Sequence, residues 1–195
     1  MKYKDNEITI EPLTKEIIEN SNYKKWLIDP KVTKYNSHGV FFDPNIDSFL
    51  KSANSQTTIT WAIVIKEYKK TIRHFIGTGG LYGTEEQNHL GNIALQEIDL
   101  INRSAELAIL IGERSYWKKG VGLRACNLVL QHGFVKLNLN RIWLGTLVDN
   151  KGMNQLAKNL NMKLEGTFRE AMWFEDHYTD IQQYSILQNE WRSTQ

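Results

Sequence analysis

The segment Trp117-Lys118-Lys119-Gly120-Val121-Gly122-Leu123 has the makings of a phosphate seat. An apolar run, Ala105 to Ile111, precedes it, and a run with helical spacing follows from Val121. Small residues at 120 and 122 let the backbone pass close to a ligand. The first N–H groups of a helix have no partner inside the helix and carry partial positive charge, so they attract phosphate or pyrophosphate. Lys118 and Lys119 add charge beside them. The plain alternative is a glycine-bearing helix start with no ligand, because G-x-G recurs by chance.

A dinucleotide site is a rival. Gly120-Val121-Gly122-Leu123-Arg124-Ala125 matches G-x-G-x-x-[GA], and Asp149 closes the next strand. That pattern needs the strand to run straight into its first glycine. Here Gly112 to Lys119 intervene, and Asp149 lies beyond the usual ~20-residue distance to a ribose-binding acid. No G-K-[ST] is present, which excludes a nucleoside triphosphate loop. No Cys/His spacing suggests zinc, and no metal is expected. Cys126 is the single cysteine, so it forms no internal disulfide; it reads as a buried, inert thiol in a reducing compartment. His38 and His177 fall in predicted loops, solvated or facing an acceptor pocket.

These residues need elements to hold them. Glu7 to Leu13 reads as a strand with Ile8 and Ile10 inward. Thr14 caps a helix carrying Ile17, Ile18, Tyr23, Trp26 and Leu27, which ends before Asp29-Pro30. A second helix starts at Asp43 with Pro44 in its first position and Phe49 and Leu50 buried. Strands follow at Trp61 to Ile65, Phe75 to Tyr82, Leu90 to Leu100 and Ala105 to Ile111. Val121, Ala125, Leu128 and Val129 open a helix that continues to about Leu137. Arg141 to Leu147 is a strand, and Met153, Leu156, Ala157 and Leu160 mark a short helix. Leu164 to Phe174 and Tyr178 to Leu187 form a closing hairpin around Glu175-Asp176-His177. Trp143, Phe168, Trp173 and Phe174 fall on these strands and read as core. Tyr35, Phe41 and Phe42, ahead of the second helix, read as pocket residues. The sum is a mixed α/β sheet in a single domain, residues 1–195.

Composition narrows the partners. Apolar residues make up 41% and charged residues 24% of the chain, which suits a globular protein. The net charge is +2 and Lys/Arg are scattered, so a nucleic-acid stripe is not expected. No apolar run reaches the ~18 residues of a membrane span, and the polar start Met1 to Asp5 does not resemble a signal peptide. Cytoplasmic residence is the expectation. A homo-oligomer is compatible with all of this.

The chain resembles the GCN5-related N-acetyltransferase (GNAT) superfamily, in its Rim-type and polysaccharide-cluster branch. The resemblance is carried by Trp26-Leu27-Ile28-Asp29-Pro30, His89-Leu90-Gly91-Asn92-Ile93-Ala94-Leu95, Ala105 to Gly112 and Tyr116 to Gly122. Leu137 to Ile142, Asn150, Glu165 to Glu170 and Tyr178-Thr179-Asp180 complete it. It implies a mostly antiparallel mixed sheet, flanked by helices, that splays open between strands 105–111 and 141–147. The pantetheine arm of acetyl-CoA would lie in the gap against the backbone of Leu110, Ile111 and Gly112, and the pyrophosphate on Lys118 to Leu123, next to Trp117. Asn150 would bond the pantetheine or cap a helix.

The implied reaction is direct attack of an amine on the thioester, needing a base, an oxyanion donor and a thiolate-protonating acid. Glu106 is the implied base, with Asp99 and Glu97 in reserve, and a structural ion pair is its other reading. A backbone N–H near Leu110 would polarise the carbonyl. Many relatives carry a tyrosine acid in the last helix, where this chain has Ala157, and Asn161-Met162 replaces their Gly-Phe. Tyr178 or Tyr116 would have to serve instead. The implied acceptor is a primary amine, on an amino-sugar nucleotide or a protein N-terminus, with aminoglycosides and polyamines also open. A coenzyme A-binding module without transfer activity is the alternative that Ala157 raises, and a dinucleotide-binding oxidoreductase is the remaining one.

Overall fold

The computed structural model describes residues 1–5, 7–36, 45–75 and 78–193, with the backbone alone for 66–75 and 78–87. Its strands are β1 (Tyr3–Lys4), β2 (Ile8–Pro12), β3 (Asn54–Ser55), β4 (Thr58–Phe75), β5 (Thr78–Asp99), β6 (Ser104–Ile111), β7 (Arg141–Leu147), β8 (Lys163–Phe174) and β9 (His177–Leu187). They form one sheet in the order β1-β2-β4-β5-β6-β7-β9-β8, with β3 on β4. Every pairing is antiparallel except β6 with β7. The helices are α1 (Lys15–Glu19), α2 (Tyr23–Ile28), α3 (Pro30–Thr33), α4 (Ile46–Ala53), α5 (Val121–Gln131), α6 (Lys151–Asn159) and α7 (Gln188–Arg192). The mixed α/β expectation holds.

The run Trp61-Ala62-Ile63-Val64 explains why the sheet is covered on both sides. Side chains alternate across a strand, and here both sets are buried. Trp61 and Ile63 join a core with Leu107, Val129 and Phe134. Ala62 and Val64 join a second one with Ile18, Tyr23, Trp26 and Leu27. One layer of helices therefore lies on each face. His89, buried beneath α2, ties the second layer down. Its Nε2 faces two acceptors, Gly91 O and Asn92 Oδ1, both at 2.9 Å, so Nε2 carries the proton. Nδ1 then accepts from the Ser21 hydroxyl at 3.0 Å.

Three expectations change. The single helix expected from Thr14 to before Asp29-Pro30 is divided into α1 and α2, because the Ser21 hydroxyl oxygen accepts from Tyr23 N–H at 3.2 Å and starts a new helix there, and α3 follows from Pro30. The strand expected at Phe75 to Tyr82 is divided: Phe75 ends β4, Thr78 to Tyr82 open β5, and the two strands pair from Ile59↔Leu95 out to Phe75↔Thr78. Phe168 and Trp173 are not core: they are 54% and 60% exposed, since β8 is the outermost strand. The expected start of the second helix at Asp43 and Pro44, with His38, Phe41 and Phe42, lies outside the described residues. α4 itself begins at Ile46 behind the Asn45 cap, and Phe49 and Leu50 are half-buried.

At Gly91 the backbone of β6 leaves no room for a side chain on β5. A Cβ there would lie 2.1 Å from Leu110 O and 2.9 Å from Ile111 Cα, both backbone atoms that cannot swing aside. Gly91→Ala is expected to cost about 3 kcal/mol in stability, by overpacking that moves a central strand. A urea melt checks it, through a lower midpoint at unchanged slope.

Candidate active site

β6 and β7 run side by side for only a few residues. Ser104, Ala105 and Glu106 pair with Arg141, Ile142 and Trp143, and then the strands part. From Leu107 onward β6 is paired on its β5 edge alone, up to Gly91↔Ile111. Gly112 N–H donates to Leu90 O at 2.9 Å, which fixes the alternation of the ladder. By that alternation Leu107, Ile109 and Ile111 turn their N–H and C=O groups toward the gap, while Leu110 turns its own toward β5. Of the segment 110–112, then, Ile111 is the residue whose backbone faces the gap. Its carbonyl accepts from the Trp117 indole N–H at 2.8 Å, so the loop and the gap are joined directly.

At the open end of the gap the chain passes through a short 3₁₀ turn, Arg114–Tyr116, and enters α5. Gly120, the residue before the helix, has φ +79°, a left-handed conformation that glycine adopts freely. The first bond inside α5 runs from Arg124 N–H to Gly120 O at 3.1 Å, leaving the N–H groups of Val121, Gly122 and Leu123 without a helical partner. A Cβ on Gly122 would meet only Ile109 Cδ1 at 3.7 Å and Leu156 Cδ2 at 3.8 Å. Lys118 and Lys119 are exposed beside this turn. The result is a cationic, small-residue cradle facing the mouth of the gap.

Glu106 occupies the last rung before the strands part. It is half-buried, and desolvation raises its carboxyl above the usual range; a hydrogen bond from Gln96 opposes this and the nearby Glu97 charge adds to it. Gln96 Nε2 donates to Glu106 Oε2 at 2.5 Å.

A segment from α2 to Tyr35 crosses the open end. On the β6 side, Trp26 packs so closely on Gly112 that a Cβ there would fall 1.9 Å from its ring. Glu113 Oε1 accepts from Trp26 Nε1 at 3.0 Å and from Asn22 Nδ2 at 2.7 Å. On the β7 side, the Tyr35 hydroxyl donates to Asp149 O at 3.2 Å, and its ring stacks on Phe174 at 5.7 Å. Lys34 lies over both rings and pairs with Glu175 at 3.6 Å. The two lips of the gap are thus strapped together.

A family model described as the acetyltransferase (GNAT) domain matches residues 7–163. The chain belongs to the GNAT acetyltransferase family. It is 29% identical over 101 residues to the putative ribosomal N-acetyltransferase YdaF of Bacillus subtilis, covering 52% of this chain and 55% of that protein. It is 31% identical over 106 residues to the spermidine N(1)-acetyltransferase of Vibrio cholerae, covering 54% and 61%. The chain thus spans little more than half the length of these relatives. In fold it is similar to the V. cholerae spermidine N-acetyltransferase solved with CoA and spermine, at TM-score 0.76 and 19% identity over 96% of this chain and 99% of that one. A GNAT-family acetyltransferase from Bacillus anthracis gives TM-score 0.75 at 20% identity, over 97% and 100%.

Set in the GNAT frame, the other expected residues fall in distinct places. Asn150 is a cap: its Oδ1 accepts from Met153 N–H at 3.2 Å at the start of α6. Asp99 caps the β5–β6 turn, accepting from Ile101 and Asn102 N–H at 2.8 Å, at the closed end of the gap; these bonds lower its pKa. Glu97 is exposed. Tyr178 sits on the outer hairpin, 60% exposed, its ring edge-on to Trp173 at 5.0 Å, and the fold does not bring it to Glu106. Tyr116 is half-buried with Lys119 over its ring. Ala157 is fully buried in the α5 core, so α6 presents no hydroxyl there. Cys126 is fully buried and its thiol pKa is pushed up by desolvation. His177 is exposed beside Asp176. Among the described residues no group of His, Cys, Asp and Glu could hold a metal, and no helix is long and apolar enough to cross a membrane.

Gln96, Asn154 and Glu113 hold this region together with little signal in the sequence. Glutamine carries no charge of its own that would mark Gln96 as the partner of Glu106. Asn154 is buried and donates to Leu147 O, Val148 O and Asn150 O, at 3.1, 3.1 and 3.0 Å, bracing the exit of β7. Glu113 joins Trp26 to the end of β6 across 87 residues. The Asn150/Asn154 spacing of one helical turn was the only one of these signals available in advance.

Proposed function

We propose that this chain is a single acyltransferase domain, residues 1–195, that moves an acetyl group from acetyl-CoA to a primary amine by direct attack. The observation that carries the reading is the parting of β6 and β7 beside the cradle at Val121 to Leu123. A thioester with a pantetheine arm and a pyrophosphate matches that pair of features: strand backbone turned toward the gap at Ile109 and Ile111, then N–H groups without a helical partner with Lys118 and Lys119 beside them. Trp117, Gly120 and Gly122 shape the approach. Leu110, Gly112 and Asn150 hold the lips rather than face the ligand.

In the proposed reaction Glu106 takes a proton from the ammonium group of the acceptor. The nitrogen lone pair then forms a bond to the acyl carbon, and charge gathers on the carbonyl oxygen, stabilised by an N–H on the free edge of β6. Collapse breaks the C–S bond and the thiolate leaves with the electron pair; the nitrogen gives its second proton to solvent, which leaves the neutral amide, and the thiolate takes up a proton. With Ala157 at the usual tyrosine position, Tyr178 or Tyr116 would supply that proton only after a rearrangement, whereas solvent serves a thiolate of pKa ~8.5 without one. Acceptors under this reading are an amino-sugar nucleotide or a protein N-terminal amine, reached on the Tyr35 side of the sheet. Of the acceptors also left open, a polyamine gains support from the spermidine relative and is tested alongside them. Cytoplasmic residence belongs to the same proposal and rests on the single buried Cys126.

Thermal shift with acetyl-CoA, coenzyme A and NAD in parallel is the first test. A ligand at ~100 times its Kd adds about 2.7 kcal/mol, a clear rise in Tm. Acetyl-CoA and coenzyme A are expected to stabilise the protein and NAD to leave it unchanged. No shift with acetyl-CoA at millimolar concentration sinks the reading. Tight binding with no turnover on a broad amine panel instead favours a CoA-binding module, the alternative that Ala157 motivates.

A further inference from the structure

Gln96 stands directly opposite Glu106 across β5 and β6. Its Nε2 is 2.5 Å from Glu106 Oε2, and both residues are half-buried at the rung where the sheet opens. A glutamate at such a point has two difficulties as a base. Its side chain has three rotatable bonds, so the carboxylate would otherwise range over several positions. Loss of water also favours the neutral acid, which takes up no proton. A fixed amide donor answers both, because it holds one oxygen in place and stabilises the charged form. Asparagine would be too short to reach, and a second carboxylate would add repulsion.

We propose that Gln96 is a positioning residue for Glu106: it grips Oε2 and leaves Oε1 as the oxygen that takes the proton from the acceptor amine. The proposal rests on the reading of Glu106 as the base. Among the described residues, Glu97 and Arg141 are the charges to weigh beside it. Glu97, next along β5, opposes ionisation of Glu106. Arg141, two rungs away on β7 opposite Ser104, is held in a two-point pair with Glu165 of β8, which takes up its charge.

The test compares wild type, Gln96→Leu and Glu106→Gln by the pH profile of kcat/KM with acetyl-CoA and an accepted amine, and follows the Glu106 carboxyl by ¹³C NMR titration in the first two. In Gln96→Leu the acid limb and the carboxyl titration are expected to move together to higher pH, by about one unit, giving a roughly tenfold loss on the limb and recovery at alkaline pH. In Glu106→Gln the limb itself is expected to disappear. If the limb disappears in Glu106→Gln but neither limb nor titration moves in Gln96→Leu, this proposal falls and the base reading stands. If the limb survives in Glu106→Gln, the base reading falls and this proposal falls with it. A lowered Tm in Gln96→Leu with an unmoved limb shows a merely structural glutamine and also overturns the proposal.

Discussion

Glu106→Gln is expected to slow acetyl transfer by about 10²–10³-fold while acetyl-CoA still binds and the protein still folds. Glutamine is nearly the same size and keeps a carbonyl oxygen for the Gln96 amide, so the rung at 106 survives. What disappears is the capacity to accept a proton from an ammonium group. The effect should fall on kcat, with KM for acetyl-CoA unchanged, because the thioester contacts proposed at Ile109, Ile111 and the α5 start are separate from the carboxylate. Equal rates for the two proteins across the pH range would remove Glu106 from the mechanism and return it to a structural role.

The same substitution makes a second, opposite statement about stability. Burial raises the Glu106 pKa in the folded protein above its unfolded value. The folded state therefore binds the proton more tightly, and stability falls as pH rises from the ordinary Glu value of ~4.3 through the raised one. Above that window the native protein carries the cost of a half-buried charge. Glu106→Gln lacks that cost, so its Tm should match wild type at acidic pH and equal or exceed it at neutral pH. A variant that is slower yet no less stable would be the mark of a group kept for chemistry.

The strands and helices after Thr58 were legible because they obey simple periods. Ala105 to Ile111 alternates, and Val121, Ala125, Leu128 and Val129 recur at helical spacing, so each element could be read from its own residues. The turn proposed as a phosphate seat was legible as a local structure for the same reason: Trp117 to Leu123 is a contiguous stretch that leads into α5. What eluded the sequence was long-range pairing. The β4–β5 hairpin depends on which strand meets which, and a local pattern does not specify that. Phe168 and Trp173 look like core residues along the strand, and only the sheet order reveals that β8 is an edge. Gln96, Glu113 and Asn154 act through partners elsewhere in the fold or on carbonyl groups, which leave no trace in residue type. The catalytic side was harder to read than the cofactor side because a base requires convergence of separate strands, whereas a helix terminus carries its own field.

The largest expected effect on the cofactor comes from Gly122→Asp. Gly122 sits in the first turn of α5, and a Cβ there meets its neighbours only at 3.7 and 3.8 Å, so a Cβ is accommodated without a clash. A carboxylate in the first turn of a helix interacts favourably with the N-terminal end of the dipole, by about 0.3–1 kcal/mol, so the free protein should keep its Tm or gain slightly. For a pyrophosphate the same charge is adverse. It occupies the N–H groups of Val121 to Leu123 and repels a second anion at close range. The stabilisation of about 2.7 kcal/mol expected from acetyl-CoA at ~100 times its Kd should therefore vanish at that concentration. Gly122→Ala fills the same space without charge and should bind at least tenfold better than Gly122→Asp. Loss of the shift in both variants would mean that close backbone approach, not charge, governs the seat. An undiminished shift in Gly122→Asp would mean the pyrophosphate lies elsewhere, and the proposed orientation of acetyl-CoA along the gap would have to be abandoned.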